Sequence, residues 1–324
     1  MTSDIDIHFM RMALSYGRRG LGQVAPNPSV GCVIVKGGVV IARGRTAEGG
    51  RPHAEAAALS NAGSQAKGST VYVTLEPCAE YGREGPCADA LVKAQVKRVV
   101  VSCHDLNPAV YKKGIQILED AGIEVTFGVL AEEAQATHQG FFLGVTENRP
   151  MVTCKLAVSS DGKIAAGPGE RTQISGELAA RHMHLMRSMH DAVLVGSETY
   201  LTDTPALTTR VQGYAHDPLR VVLDRRERVK DAQGFEVLRE ADVESVLTHL
   251  KVRGVTRLLV EGGAEIHKSF LESGKVDEFQ LLKSPKKLGE KGVDGLDGAR
   301  IEAISDLKHQ KTRLLGEDTL EIYR

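Results

Sequence analysis

Two successive α/β domains are the fold class this sequence predicts, each built on a mostly parallel sheet covered by helices. Three observations carry the prediction. Short buried-type apolar runs alternate with helical patterns through both halves. Polar residues ending in a proline, from Thr146 to Pro150, interrupt that alternation near the middle. The chain, at 324 residues, is long enough for two domains of ordinary size. The expected boundary separates residues 1–147 from 148–324.

The elements follow in order. Residues 4–19 form an amphipathic helix, and Val30 to Val35 a buried strand. Gly37-Gly38 is a hairpin turn into a strand over residues 39–42. The run Ala56-Ala57-Ala58-Leu59 reads as a buried helix starting near Pro52, and residues 70–75 as a strand. A helix follows Cys87, then a strand over 98–102, a helix over 114–121 and a strand over 122–125. Beyond the interruption, strands are expected at 151–158, 191–195, 219–224 and 257–260, with helices at 176–188 and from Gly263 to Ser273. Between Asp224 and Glu261 there is room for one helix, about 243–252, and little else. The second domain is therefore expected to be shortened.

The chemistry is concentrated in His53-Ala54-Glu55, Pro77-Cys78 and Pro86-Cys87. One imidazole, two thiols and a spare carboxylate are what a catalytic zinc needs: three ligands, an open position and a group that moves protons. A structural site would close with a fourth Cys or His. His53 and Cys87 are expected at helix N-termini, where the dipole favours thiolates. The chemistry implied is hydrolytic deamination of an amino-pyrimidine or related ring, with Glu55 passing the proton to departing ammonia.

Composition narrows the rest. With 42% hydrophobic and 26% charged residues the chain is globular, and a net charge of −1 argues against nucleic acid or anionic membranes as partners. Cys32, Cys103 and Cys154 read as inert core thiols, without a disulfide framework. No apolar run approaches a membrane span, and a reducing cytoplasm is the expected location. Two glycines after a buried strand, Gly262-Gly263, suit a phosphate at a helix N-terminus or simply a tight turn. His182, His184 and His190 read as solvated histidines rather than a second metal site, since His182 and His184 do not share a helix face.

With these residues in hand, the chain resembles the bifunctional pyrimidine deaminase–reductases of riboflavin biosynthesis. The resemblance runs nearly the whole length. It rests on the run from Pro26 to Val35, on Pro52-His53-Ala54-Glu55, and on Thr74-Leu75-Glu76-Pro77-Cys78 with eight residues before Cys87. In the second half it rests on the run from Lys155 to Ile164, on residues 191–196 and 203–210, and on Val260-Glu261-Gly262-Gly263. It implies a cytidine-deaminase-like three-layer domain followed by a dihydrofolate-reductase-like α/β domain. The first would deaminate 2,5-diamino-6-(5-phosphoribosylamino)pyrimidin-4(3H)-one with Zn2+; the second would reduce the ribosyl to a ribityl group with NADPH. The resemblance assigns His53, Cys78 and Cys87 to zinc, Glu55 to proton transfer, and Asn27 and Arg83 to the pyrimidine and its phosphate. In the reductase it assigns Ala157, Thr199, Asp203, Gly262 and Gly263 to the cofactor, and Arg187, Leu207, Arg210 and Glu261 to the substrate. Read without it, Arg187 and Arg210 are solvated surface charges and Asp203 a turn initiator. A homo-oligomer acting on a small phosphorylated pyrimidine is implied, with no nucleic-acid or membrane partner.

Several positions depart from the family pattern: Arg45 and Glu80 stand where histidines are usual, and Glu84-Gly85-Pro86 where Thr-Pro-Pro is. Arg171, Gln173-Ile174-Ser175 and Asp203-Thr204-Pro205 also differ. All are read as substrate-facing, and two place carboxylates by a phosphate pocket. An alternative reading follows: a paralogue that deaminates a different amino-heterocycle and carries a degenerate reductase domain.

Overall fold

A computed structural model of the chain describes residues 3–80, 85–214 and 216–324. It divides into two units, Met1–Asn148 and Arg149–Arg324.

The first unit runs α1 (Asp4–Arg18), β1 (Gly31–Lys36), β2 (Val39–Arg45), α2 (Ala54–Ala62), β3 (Thr70–Val73), α3 (Cys87–Lys93), β4 (Arg98–Val101), α4 (Lys113–Asp120), β5 (Glu124–Phe127) and α5 (Ala131–Thr146). Its sheet has the order β2-β1-β3-β4-β5. The β1 strand is antiparallel to both β2 and β3, whereas β3, β4 and β5 are parallel. The sheet is thus mixed rather than mostly parallel, because the Gly37-Gly38 hairpin, with φ 58° and 79°, returns the chain beside itself. Helix α5 is absent from the sequence expectation; its glycines and polar residues hide the apolar face that includes buried Phe142.

Local chemistry fixes these elements. Ser3 caps α1, its hydroxyl accepting the Asp6 N–H at 3.2 Å. Asp6 is buried in turn, where Arg98 donates to both its oxygens at 2.9 and 3.0 Å and the Tyr72 hydroxyl donates at 3.0 Å. The Arg98 hydrogen bonds hold the Asp6 carboxyl down at about 2 against the opposing effect of burial. One carboxylate therefore ties the first helix to strands β3 and β4.

The second unit runs β6 (Met151–Val158), β7 (Lys163–Ala165), α6 (Glu177–Ser188), β8 (Ala192–Gly196), α7 (Ser197–Asp203), β9 (Leu219–Leu223), β10 (Glu236–Leu238), α8 (Val243–Val252) and β11 (Arg257–Glu261). It continues with α9 (Ala264–Glu272), β12 (Glu278–Lys283), β13 (Val293–Asp294), α10 (Gly298–Ile304), β14 (His309–Leu315) and β15 (Asp318–Tyr323). The main sheet has the order β10-β9-β8-β11-β6-β12-β15-β14, parallel from β10 through β12 and antiparallel at its last two pairs. Side chains alternate between its faces. Ala192 and Leu194 join the cluster built with α8 and α9, while Val193 and Val195 join the one built with α6.

The expectation that residues 225–260 hold one helix and little else is corrected here. Strand β10 lies in that span and extends the parallel sheet beside β9. At three residues, one of them buried, it is too short to show an alternating pattern.

Both units bury neutral histidines, one in the first and two in the second among the described residues. His138 of α5 bonds Thr74 Oγ1 at 3.2 Å, and His190 bonds the Met186 carbonyl at 2.6 Å. Burial pushes their imidazoles down to about 4 and about 3. Folded-state pKa values below the unfolded value mean that the unfolded chain takes up protons first as pH falls. Stability is therefore complete above about pH 6.5 and falls between there and about pH 4, by about 1.4 kcal/mol per pH unit for each buried imidazole. His267 adds a second one to the second unit, with its pKa lowered to about 4. Denaturant unfolding at pH 8, 6 and 5 measures this, and His138→Gln should flatten the first unit's slope. An equal slope in that variant would show that other groups set the acid lability.

Candidate functional site

The first site forms where α2 and α3 begin. His53 is the N-cap of α2, Glu55 lies in its first turn, and Cys87 is the first residue of α3. Cys78 follows the end of β3, and the Cys87 N–H donates to its Sγ at 3.3 Å. His53 Nδ1 lies 3.6 Å from Cys78 Sγ and 3.4 Å from Cys87 Sγ. All three ligand atoms fall within 4.8 Å of one another. A zinc ion bonded tetrahedrally to one imidazole nitrogen and two thiolates separates such atoms by about 3.5 Å. The donor set and its spacing fit zinc.

Electrostatics agree with an anionic, proton-sharing cluster. The hydrogen bond from Cys87 holds the Cys78 thiol down at about 4, assisted by His53. The same contact, with burial, drives Cys87 strongly upward. The two sulfurs thus influence one another strongly, Cys78 favouring the thiolate and Cys87 the thiol. Burial, with the Cys78 charge, raises the Glu55 carboxyl to about 7.

Glu55 and two of the ligand residues, His53 and Cys78, line a cavity of about 260 Å3 together with Asn27. Asp105, Asn107, Val110 and Phe141 complete much of its wall. Sequence reasoning missed these four. The available signal was the polar run after β4, since ligands gather at the carboxyl ends of parallel strands. Burial raises the Asp105 carboxyl to about 6. Of the departing residues, Glu80 sits exposed at the cavity. Arg45 instead gives its guanidinium to the Arg19 carbonyl. Arg83 and Glu84 lie outside the described residues.

The second site is a cavity of about 520 Å3 in the other unit. Ala157, Thr199, Asp203, Glu261, Gly262 and Gly263 all line it. Asp203 ends α7 rather than starting a turn, and Gly263 is the N-cap of α9. Three expected residues do not line the cavity. Arg187 reaches it only through Glu261, to which it donates twice, at 2.6 and 2.7 Å. Leu207 is buried in the core with Met183 and Met186, and Arg210 is exposed. Lys155, which the sequence reading passed over, lines the cavity opposite Glu261 in the β6–β11 register. Burial pushes its ammonium pKa down while the Glu261 charge opposes that. Gln173 lines the cavity as well, whereas exposed Arg171 is not among its lining residues.

His182 and His184 of α6 are half-buried and His190, just past the helix, is buried, so none of the three is fully solvated. His182 bonds Gln280 Oε1 at 2.9 Å, His184 bonds the Thr208 carbonyl at 3.2 Å, and His190 is buried. Cys32, Cys103 and Cys154 are buried thiols.

Against known families, the cytidine and deoxycytidylate deaminase zinc-binding region matches residues 3–103, and the RibD C-terminal domain matches residues 150–320. The riboflavin biosynthesis protein RibD of Aquifex aeolicus is 36% identical over 354 aligned positions, covering 100% of this chain and 99% of the relative. The chain belongs to the RibD family. The RibD of Escherichia coli is 35% identical, with 97% of each chain covered. Among RibD structures, that of Acinetobacter baumannii superposes with a TM-score of 0.87 at 36% identity, covering 98% of both chains. The Thermotoga maritima diaminohydroxyphosphoribosylaminopyrimidine deaminase/5-amino-6-(5-phosphoribosylamino)uracil reductase gives 0.88 at 32% identity, covering 99% of this chain and 98% of the other. The cytidine-deaminase-like and reductase folds are thus those of RibD, and an alignment of 354 positions over a chain of 324 residues leaves gaps in this chain. No helix among the described residues is long and apolar enough to cross a membrane.

Proposed function

We propose that this chain performs two successive steps of riboflavin biosynthesis, deaminating 2,5-diamino-6-(5-phosphoribosylamino)pyrimidin-4(3H)-one and then reducing its ribosyl group to ribityl with NADPH. The observation that carries the reading is the His53–Cys78–Cys87 triad with Glu55 beside it in a ring-sized cavity, on a chain that aligns with RibD along its whole length. His53 Nδ1 and the two Sγ atoms would hold zinc, which when bound acidifies water and polarises the ring. Glu55, buried and poised near neutrality, holds the proton and delivers it to the leaving amino nitrogen. Asn27 contacts the pyrimidine, and Arg83 is assigned to its phosphate.

In the second unit, Gly262 and Gly263 leave the cofactor's phosphates room at the start of α9, and Ala157, Thr199 and Asp203 bound the same cofactor. Glu261 meets the ribosyl substrate, with Arg187 holding its carboxylate. Leu207 and Arg210 are assigned to the substrate by the family resemblance alone, since neither lines the cavity. The enzyme is read as cytoplasmic and homo-oligomeric, the latter open to light scattering.

The test scores ammonia and ribityl product separately on the zinc-loaded protein. Both should form, the second only with NADPH. Removing zinc with a chelator should abolish ammonia release and leave NADPH-dependent reduction of pre-deaminated substrate within about twofold, since the ligands all lie in the first unit. Ammonia without ribityl product would instead mark a deaminase with an inactive partner domain.

A further inference from the structure

We propose that Glu76 is a positioning residue for the deamination, its carboxylate tying the strand end that carries Cys78 to the wall of the substrate cavity. The inference rests on the reading of the first cavity as the amino-pyrimidine site.

The Glu76 side chain is wholly buried, and all its partners come from one stretch of chain. Oε2 accepts from His104 Nδ1 at 2.8 Å and from the Lys112 N–H at 3.1 Å. Oε1 accepts from the N–H groups of Gly114 at 3.1 Å and Ile115 at 3.4 Å. The Glu76 N–H itself donates to the Cys103 carbonyl at 2.9 Å. Residues 103–115 leave β4, pass the cavity wall at Asp105, Asn107 and Val110, and enter α4. Both ends of that wall are therefore bonded to a residue two positions before a zinc-ligand cysteine.

Two further contacts make the link rigid. His104 is stacked on Phe127 with ring centroids 4.1 Å apart, so the imidazole cannot swing away. Gly114 lies so close to the Pro77 carbonyl that a Cβ there would collide with it. Pro77 is the residue between Glu76 and Cys78, so the α4 start and the ligand strand are clamped by backbone packing as well. A carboxylate suits this place because it accepts at both oxygens, and the first N–H groups of a helix have no partner of their own.

An amide of the same shape separates the two halves of the clamp. In Glu76→Gln the oxygen can serve the two α4 N–H groups, but the NH2 then meets the Lys112 N–H donor to donor. The loop over 104–112 loosens while α4 stays seated. We expect KM for the diamino-pyrimidinone to rise about tenfold, kcat to stay within about threefold, and zinc stoichiometry to be kept. His104→Ala, which cuts the same link from the loop side, should move KM in the same direction. Hydrogen exchange of the amides over 105–112 should quicken in both variants, a readout that needs no substrate.

The far-ultraviolet circular dichroism melting curve serves as the folding control, since reduction of pre-deaminated substrate reports on the second unit alone. Unchanged KM together with unchanged exchange in His104→Ala overturns the inference, even if Glu76→Gln does not accumulate as folded protein. A fall in zinc content and kcat with KM unchanged also overturns it, assigning Glu76 to support of the metal ligand alone. Absence of ammonia release by the wild type would sink the functional reading, and the exchange result would still decide the clamp.

Discussion

Glu55→Gln is expected to lower kcat for deamination by a factor of about 10² to 10⁴, the usual worth of a positioned general acid–base. Glutamine keeps the volume of a side chain that is only 4% exposed, so the α2 start and the cavity should retain their shape. It removes the buried carboxyl in the first turn of α2, beside the ligand triad, whose pKa of about 7 lies above the value of about 6 at Asp105 on the same cavity wall. At about 1.4 kcal/mol per decade, the predicted loss is about 3 to 5 kcal/mol of transition-state stabilisation. Zinc content should remain that of the wild type, because none of the three ligands changes. Reduction of pre-deaminated substrate should also be unaffected. Glu55→Asp should fall between the two, since it keeps the chemistry but pulls the carboxyl back by one methylene. A Glu55→Gln enzyme retaining more than a tenth of wild-type kcat would remove Glu55 from the proton path.

That site was largely legible in the sequence because its chemistry is local. His53 and Glu55 share one helix start, and each cysteine follows a proline at a point where regular structure begins or ends. Motifs of this kind carry their own geometry. The cavity wall was not legible for the opposite reason: Asp105, Asn107 and Phe141 reach the site through sheet order and through a helix with a diluted apolar pattern. The clamp at Glu76 depends on backbone N–H groups some forty residues away, which no side-chain pattern announces. In the second unit, alternation located most of the parallel strands, whereas β10 was too short to show a period. Arg187 and Glu261 were each marked as substrate residues, yet nothing in their spacing indicated that they would satisfy one another.

That pairing sets the second large effect. Arg187 and Glu261 are 14% and 11% exposed and meet through two short charge-assisted hydrogen bonds. Glu261 also faces half-buried Lys155 across the β6–β11 register, so one carboxylate offsets two cations. Glu261→Gln leaves both cations without that charge, and breaking such a buried pair typically costs about 3 to 5 kcal/mol. The second unit should therefore melt markedly earlier, with NADPH-dependent reduction lost and ammonia release from the first unit retained. Arg187→Met should cost less, because Lys155 remains beside the carboxylate. The double variant should be more stable than Glu261→Gln alone, since only one of the two cations is then left. A double-mutant cycle measures the coupling directly, and a value of at least about 1.5 kcal/mol is expected for groups in this contact. Additive single effects would mean that each residue acts separately on the substrate, returning Arg187 to a direct substrate contact. Strong coupling would instead make Arg187 the residue that fixes the Glu261 carboxylate at the edge of the reductase cavity.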